Sequence, residues 1–336
     1  MKNMKQINIG TCVPGQFAER WLPVMKDKGY ECFAINFHMG YYGVDLKALA
    51  PKVNEILADT DTYVSTIGYY CNALENESQL HDLEFAIDNA HLFGAKTVAT
   101  FAGALEGKDV PSAIPRFKEV YSELARRAEA NGVKLAIENC PMGGTWNHNT
   151  CNIGFNPDAW EMMFDAVPSD ALGLEWEPAH QLIQLIDPIA ELRIWAKKIV
   201  HMHGKDASVD WEAIRRRGIY RNRFFDTSVP ERTPGFGDTN WRDVFSILHE
   251  NGYEGDVCIE GYHDPIYSGE WEMTGQMHAL KYLKFCRGGD FIPNPWDVKA
   301  GLGPCSALVS TVTAVFDHIF PFQLHSSTYA SSQEGG

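Results

Sequence analysis

The sequence predicts an α/β chain folded as one (β/α)8 barrel with a C-terminal extension. Three observations carry this expectation. First, eight short β-rich runs alternate with longer helical patterns over roughly 285 residues. That is the grammar of a parallel sheet with helical crossovers, at the usual size of a closed barrel. Second, Gly29, Gly94, Gly132 and Gly252 stand just before strands, where helix C-caps are expected. Third, Glu138, Glu177, His203 and Glu260, all competent to bind a metal, fall at or just past four strand ends. A parallel barrel points all its strand C-termini at one mouth, so these distant residues would meet there.

The elements follow in order. Residues 7–12 read as the first strand, with an amphipathic helix over 17–28. The second strand, 31–37, precedes a helix over 46–59, and the third, 63–68, precedes one over 77–93. Strand four is 97–101 with a helix over 114–130, and strand five is 133–138 with a helix over 157–166. Strand six is 172–176 with a helix over 188–196, and strand seven is 199–203 with a helix over 241–250. Strand eight, 256–260, leads into the last helix, 271–285. The competing architecture is a doubly wound open sheet. Its usual glycine-rich phosphate turn is missing, because the first turn is Cys12-Val13-Pro14-Gly15. The barrel is assigned to residues 5–290 and the extension to 291–336, whose last residues are small and polar.

Composition narrows the function. The chain has 336 residues, 45% of them apolar, enough for a sizeable core. A net charge of -15 argues against non-specific nucleic-acid binding, which needs clustered Lys and Arg. No signal-peptide pattern or membrane-length apolar run is evident. The eight cysteines form no C-x-x-C pair and read as reduced core residues, so cytoplasm is the expected compartment.

Two long loops should border the mouth. Residues 140–156 follow strand five and carry Trp146 and His148. Residues 206–239 follow strand seven and carry Arg215, Arg216, Arg217, Arg221, Arg223 and Arg232, either as a solvated surface or as an anion contact. Trp146, Trp176 and Trp211 could offer flat faces to a sugar, although core packing accounts for tryptophans equally well. His201 and His203 are expected on opposite sides of their strand, one inward and one packed outward. Asn72, after strand three, is a candidate for bonding a substrate hydroxyl.

Taken alone, a Glu ending a strand is more often an ion-pair or capping residue than a ligand. The coincidence of four metal-competent residues on adjacent barrel strands favours a divalent cation held by three carboxylates and one imidazole.

Several motifs resemble the sugar phosphate isomerase/epimerase superfamily, with its xylose isomerase-like TIM barrel, over about residues 5–287. Ile137-Glu138-Asn139-Cys140-Pro141-Met142 is similar to that family's strand-five motif, and Glu177-Pro178-Ala179-His180 resembles its D-P-[SA]-H. His201-Met202-His203-Gly204-Lys205-Asp206 resembles H-x-H-[AG]-K-D. Pro234-Gly235-Phe236-Gly237 before Trp241, and Ile259-Glu260 before His263-Asp264-Pro265, resemble the closing segments.

The resemblance implies a metal held by Glu138, Glu177, His203 and Glu260, with Mn²⁺ first and Mg²⁺, Co²⁺ or Zn²⁺ as alternatives. It implies acid–base roles for Glu138 and Glu260, and substrate contacts for His180. Lys205 would neutralise developing charge or pair with Asp206. His148 could add an acid or base. One departure is Glu177, where the family usually has Asp; Glu175, two residues earlier on the same face, is the fallback ligand.

The implied activity is isomerisation or epimerisation of a keto-sugar or polyhydroxy ketone through an enediolate. A lyase reaction, inosose dehydration or cleavage of a 3-oxo-C-glycoside, would use the same enolisation. An abasic-site endonuclease needs further histidines that 232–237 lacks, and a non-catalytic barrel would not need the ligand set. The expected partner is a small carbohydrate, with a homo-oligomer or an accessory subunit both compatible with the chain.

Overall fold

The computed structural model describes residues 5–219, 228–261 and 263–292. The chain divides into a compact unit, Met1–Gly289, and a second, Asp290–Gly336. Arg221, Arg223, Cys305 and the extension from residue 293 onward lie outside the described residues.

Eight parallel strands close into a barrel. Along the chain, β1 (Ile9–Pro14), α1 (Ala18–Met25), β2 (Cys32–His38), α2 (Leu46–Leu57), β3 (Tyr63–Tyr70) and α3 (Glu77–Asn89) build the first part. Then come β4 (Thr97–Thr100), α4 (Val110–Asn131), β5 (Lys134–Glu138), α5 (Pro157–Ala166) and β6 (Leu172–Trp176). After β6 lie two helices, α6 (Pro178–Ile183) and α7 (Pro188–Trp195), followed by β7 (Ile199–Gly204). A two-stranded antiparallel ribbon, β8 (Asp206–Ala207) with β9 (Glu231–Arg232), brackets α8 (Trp211–Arg217). The last elements are α9 (Trp241–Glu250), β10 (Val257–Ile259) and α10 (Glu272–Cys286). Strand β10 pairs with β1 and β7, and this closes the ring.

Local chemistry explains the helix boundaries. Asp109, Asn156 and Asp187 accept N–H bonds from the first turns of α4, α5 and α7. Gly132 ends α4 at φ 66, a left-handed cap that lets its N–H reach Ala128 and Glu129. Gly29, Gly94 and Gly252 also have positive φ at helix ends. Three differences from the sequence reading have local causes. The first helix is α-helical only over Ala18–Met25, flanked by 3₁₀ turns. The fourth starts earlier, at Val110, because Asp109 caps it. Helix α6 starts on Pro178, which suits a first helical turn.

Strand alternation sorts the side chains into two layers. Ile9, Phe33, Ile67, Leu135, Ile137, Leu174, Met202, Val257 and Ile259 belong to the large core between strands and helices. The inward face carries smaller residues over much of its area: Cys12, Cys32, Ala34 and Cys258 form one inner cluster, and Ala99 and Ala136 join the rings of Tyr70 and Phe101 in another. The small residues among them leave room for charged side chains near the mouth. Among the described residues, Cys12, Cys32, Cys71, Cys258 and Cys286 are buried free thiols. No helix of the described residues is long and apolar enough to cross a membrane.

One ion pair clamps the seam between the last helix and the start of the barrel. Arg287 Nη2 donates to Glu31 Oε1 at 2.8 Å, Arg287 Nη1 donates to the Ile7 carbonyl at 2.8 Å, and the Ile9 N–H donates to Glu31 Oε2 at 2.7 Å. Burial raises the Glu31 carboxyl's pKa, but Arg287 and Ile9 outweigh it and leave the group below its usual value. A depressed carboxylate stabilises the fold above its unfolded pKa, and that stability is lost as pH falls through the folded value. Glu31→Gln leaves the nearly buried guanidinium without its carboxylate and is expected to cost about 3 kcal/mol at neutral pH. Denaturant unfolding of both proteins checks this, and the gap should close in acid.

Candidate metal and acid–base site

The site sits where β5, β6, β7 and β10 end. Glu138 is the last residue of β5, on the same face as Ala136. Glu177 is the residue preceding α6 and is held at its backbone by Asn139. Asn139 Nδ2 donates to the Glu177 carbonyl at 2.9 Å, and the Glu177 N–H donates to Asn139 Oδ1 at 2.8 Å. His203 lies near the end of β7, and Glu260 immediately follows β10.

One ligand atom from each of Glu138, Glu177, His203 and Glu260 lies within 4.8 Å of the others. His203 Nδ1 faces this group, 2.9 Å from Glu138 Oε1, 3.3 Å from Glu177 Oε2 and 3.7 Å from Glu260 Oε2. Lys205 Nζ stands beside it, 2.7 Å from Glu260 Oε2 and 3.1 Å from Glu177 Oε1. His180 Nε2 is 3.1 Å from Glu177 Oε1.

Glu177 provides the test of whether this donor set fits a cation. It is fully buried, and neither of its oxygens makes a hydrogen bond, although Lys205, His203 and His180 lie within ion-pair distance. Proximity without directed bonds leaves buried lone pairs unsatisfied, a condition that native proteins rarely tolerate. Ligands about 2.1 Å from a shared ion lie up to about 4.2 Å apart, close to the spacing here. Three carboxylates and one imidazole suit a divalent cation, and the residues therefore fit the expected group.

The electrostatics are uneven. Burial pushes the Glu177 carboxyl up to about 8 against the pull of Lys205. Burial also raises Glu138, partly offset by His203. Burial opposes ionisation of Glu260 too, but Lys205, His203 and His263 outweigh it and drive that carboxyl well down. Burial, with Lys205, pulls His180 well below the usual imidazole range, so it is neutral. Its Nδ1 has no hydrogen-bond partner among the described residues.

The structure corrects the expectation for His201 and His203. Residues two apart on a strand share a face. Both imidazoles point into the barrel, with ring centroids 6.0 Å apart and Met202 between them in the outer core. Glu175 is directed elsewhere than Glu177. It lies in a group with His201 and His203, and Oε1 is 2.6 Å from His201 Nδ1. Lys205 pairs with the site glutamates and not with Asp206, which accepts instead from the Thr239 N–H and Trp241 Nε1. This anchor on α9 fixes the chain just past Lys205.

The remaining candidates are spread around the mouth. Trp146 is half-buried against the core, and its carbonyl accepts from Val110 N–H at 2.9 Å. His148 is exposed and bridges Thr145. Trp176 is fully buried in the outer core, on the opposite face of β6 from Glu175, so it does not line the mouth. Trp211 is 51% exposed on α8, where Arg215, Arg216 and Arg217 are exposed as well. Arg232 is paired with Asp264 at 3.1 Å. Asn72 Oδ1 is occupied by the Leu74 and Ala104 N–H groups.

Two residues of the neighbourhood escaped sequence reasoning. Tyr70, at the end of β3, donates to Glu175 Oε2 at 2.8 Å. Its position at a strand end was the available signal. Glu231, 3.6 Å from Lys205 Nζ, is brought in by the β8–β9 ribbon, and it pairs with half-exposed His263 at 3.3 Å. No local pattern marks Glu231, because its neighbour Ala207 is distant in sequence.

Comparison with known proteins agrees with the barrel fold. Residues 22–286 match the family described as the xylose isomerase-like TIM barrel. The YfiH protein of Bacillus subtilis is 29% identical over 178 residues, covering 50% of this chain and 51% of that protein. An inosose dehydratase of Clostridium beijerinckii is 27% identical over 167 residues, covering 48% of this chain and 51% of that enzyme. The chain thus spans about half the length of these curated relatives. Among solved structures, the apo 3-keto-D-glucoside 4-epimerase YcjR of E. coli superposes with a TM-score of 0.62 at 15% identity. That match covers 84% of this chain and 100% of that one, a likeness of fold.

Proposed function

The chain belongs to the xylose isomerase-like TIM barrel family, and from that premise we propose that it is a divalent-metal-dependent isomerase or epimerase of a keto-sugar or polyhydroxy ketone. The observation that carries the proposal is the convergence of Glu138, Glu177, His203 and Glu260, with both Glu177 oxygens buried and unbonded. These four residues would hold the cation, Mn²⁺ first. When bound, it would polarise the substrate carbonyl and its neighbouring hydroxyl and so acidify the adjacent C–H.

The chain's own residues then move the proton. Glu138 and Glu260 approach from β5 and β10, with β6 and β7 between them in the ring, so they flank the group. Glu260, with Lys205 at 2.7 Å, takes the proton from carbon, and the C–H electron pair passes into the carbonyl to give an enediolate. Glu138, 2.9 Å from His203, returns a proton to the opposite face. Lys205 offsets the negative charge that develops on substrate oxygen, and His180 offers Nδ1 to a hydroxyl. Trp146 and His148, on the loop after β5, are assigned to the sugar's outer edge.

A second reading is favoured by the likeness to inosose dehydratase. There the enediolate electron pair would expel the β-hydroxyl, which leaves as water after protonation.

The test is incubation of the Mn²⁺-loaded protein with keto-sugars and inososes in D₂O, with mass-resolved products. One deuterium gained at otherwise unchanged mass supports the first reading, and loss of water supports the second. Absence of C–H exchange with Mn²⁺, Mg²⁺, Co²⁺ and Zn²⁺ alike would leave the barrel as a binding module.

A further inference from the structure

We propose that Glu175 is the positioning residue of this site: it holds the His203 imidazole from behind, through Nε2, so that Nδ1 faces Glu138, Glu177 and Glu260. The inference rests on the metal reading above. It concerns a carboxylate that the proposed ligand set does not use.

Glu175 and Glu177 lie two residues apart on one face of the chain, both fully buried. Their bonding differs. Glu177 has no hydrogen bond at either oxygen. Glu175 has both oxygens engaged: Oε2 accepts from the Tyr70 hydroxyl at 2.8 Å, and Oε1 lies 2.6 Å from His201 Nδ1 and 3.3 Å from His203 Nε2. A buried carboxylate satisfied by protein donors gains nothing from an ion, whereas an unsatisfied one does.

Strand register produces this arrangement. The β6–β7 pairing shifts between Leu174 and Glu175 and sets Glu175 opposite His201, one inward step below His203. Glu175 is also opposite Glu138 on β5. It therefore touches the ring of His203 from the side away from the four-residue group. With Nε2 bearing the proton toward Glu175, the Nδ1 lone pair is left for a cation, as in the carboxylate–histidine–metal arrangements of many metal sites. Tyr70 and His201 hold the carboxylate itself, and the Tyr70 hydroxyl also lies 3.3 Å from His203 Nε2, so Glu175 and Tyr70 share that side of the ring. Glu175, His201 and His203 could in principle share an ion of their own. Tyr70 and His201 already bond both Glu175 oxygens, so the trio offers an ion no unsatisfied carboxylate.

The experiment uses the full chain and Mn²⁺ or Zn²⁺ alone, with affinity measured by competition against a chromophoric chelator. Glu175→Gln is expected to bind about one ion per chain, about 10–100-fold more weakly than the parent. Glu177→Gln should lose stoichiometric binding. In parallel, ¹⁵N-histidine NMR should show His203 protonated at Nε2 in the loaded parent and as a mixture of tautomers in Glu175→Gln. If Glu175→Gln folds poorly, Tyr70→Phe removes a hydroxyl that lies against both Glu175 Oε2 and His203 Nε2 and should weaken binding several-fold.

A lower melting temperature with unchanged affinity and unchanged His203 signals would mean that Glu175 only stabilises the fold, and would overturn the proposal. Loss of the ion in Glu175→Gln but not in Glu177→Gln would make Glu175 the ligand, and two ions per chain would give its trio a metal of its own; either also overturns it. A parent that binds no metal refutes the functional reading instead. The His203 signals of the metal-free proteins then decide the Glu175 contact by themselves, because an Nε2 proton insensitive to Glu175→Gln excludes it.

Discussion

Glu260→Gln is expected to lower turnover by about 10²–10⁴-fold, the usual contribution of a positioned general base. The amide matches the carboxylate in shape but cannot take a proton from carbon. In the structure Glu260 stands at the β10 end with Lys205 Nζ at 2.7 Å, which holds it ionised and therefore basic in form. The same change weakens one proposed ligand, so the effect must be read at saturating metal. Single-turnover exchange of substrate hydrogen for deuterium reports the proton step directly. Full exchange by Glu260→Gln with metal bound would remove Glu260 from the acid–base pair and leave Glu138, buried beside His203, as the sole candidate.

Glu177→Ala should have opposite consequences in the metal-free and metal-loaded protein. Without metal, the parent carries a fully buried Glu177 carboxyl, pushed up to about 8 by burial, with no hydrogen bond at either oxygen among the described residues. Removing it relieves a desolvation cost, so the metal-free variant should melt no lower than the parent. With Mn²⁺ at about 100 times the dissociation constant, the parent should gain about 2.7 kcal/mol by linkage. The variant should gain almost nothing. Thermal melts of both proteins with and without Mn²⁺ provide the comparison. A metal-free variant much less stable than the parent would show that Lys205, His203 and His180 already satisfy Glu177, and the argument from its unbonded oxygens would fail.

The two predictions separate roles that sequence patterns alone could not. The H-x-H, E-P-A-H and I-E motifs identify residues at strand ends, and strand ends converge in any parallel barrel. That reasoning suffices to bring Glu138, Glu177, His203 and Glu260 together at one mouth, where the structure groups them. It misplaced His201 by treating residues two apart as facing opposite ways. It also left Glu175 and Glu177 as alternatives, since both are acidic and share one face. Their surroundings distinguish them: Glu175 is hydrogen-bonded by Tyr70 from β3 and His201 from β7, whereas Glu177 has Lys205, His203 and His180 at ion-pair distance but no side-chain hydrogen bond among the described residues.

What the sequence by itself determined was the barrel, the approximate strand and helix positions, and the four residues that meet at its mouth. All of these follow from local periodicity, capping residues and the direction of parallel strands. The tertiary structure decided what depends on register and on contacts between distant segments. It brought Glu231 to Lys205 through the β8–β9 ribbon, seated Asp206 under Trp241, and turned His203 so that its two nitrogens face different carboxylates. The physical reason is that a strand's own sequence sets which face a side chain takes, whereas the hydrogen bonds it finds on that face come from neighbours whose alignment no single segment encodes.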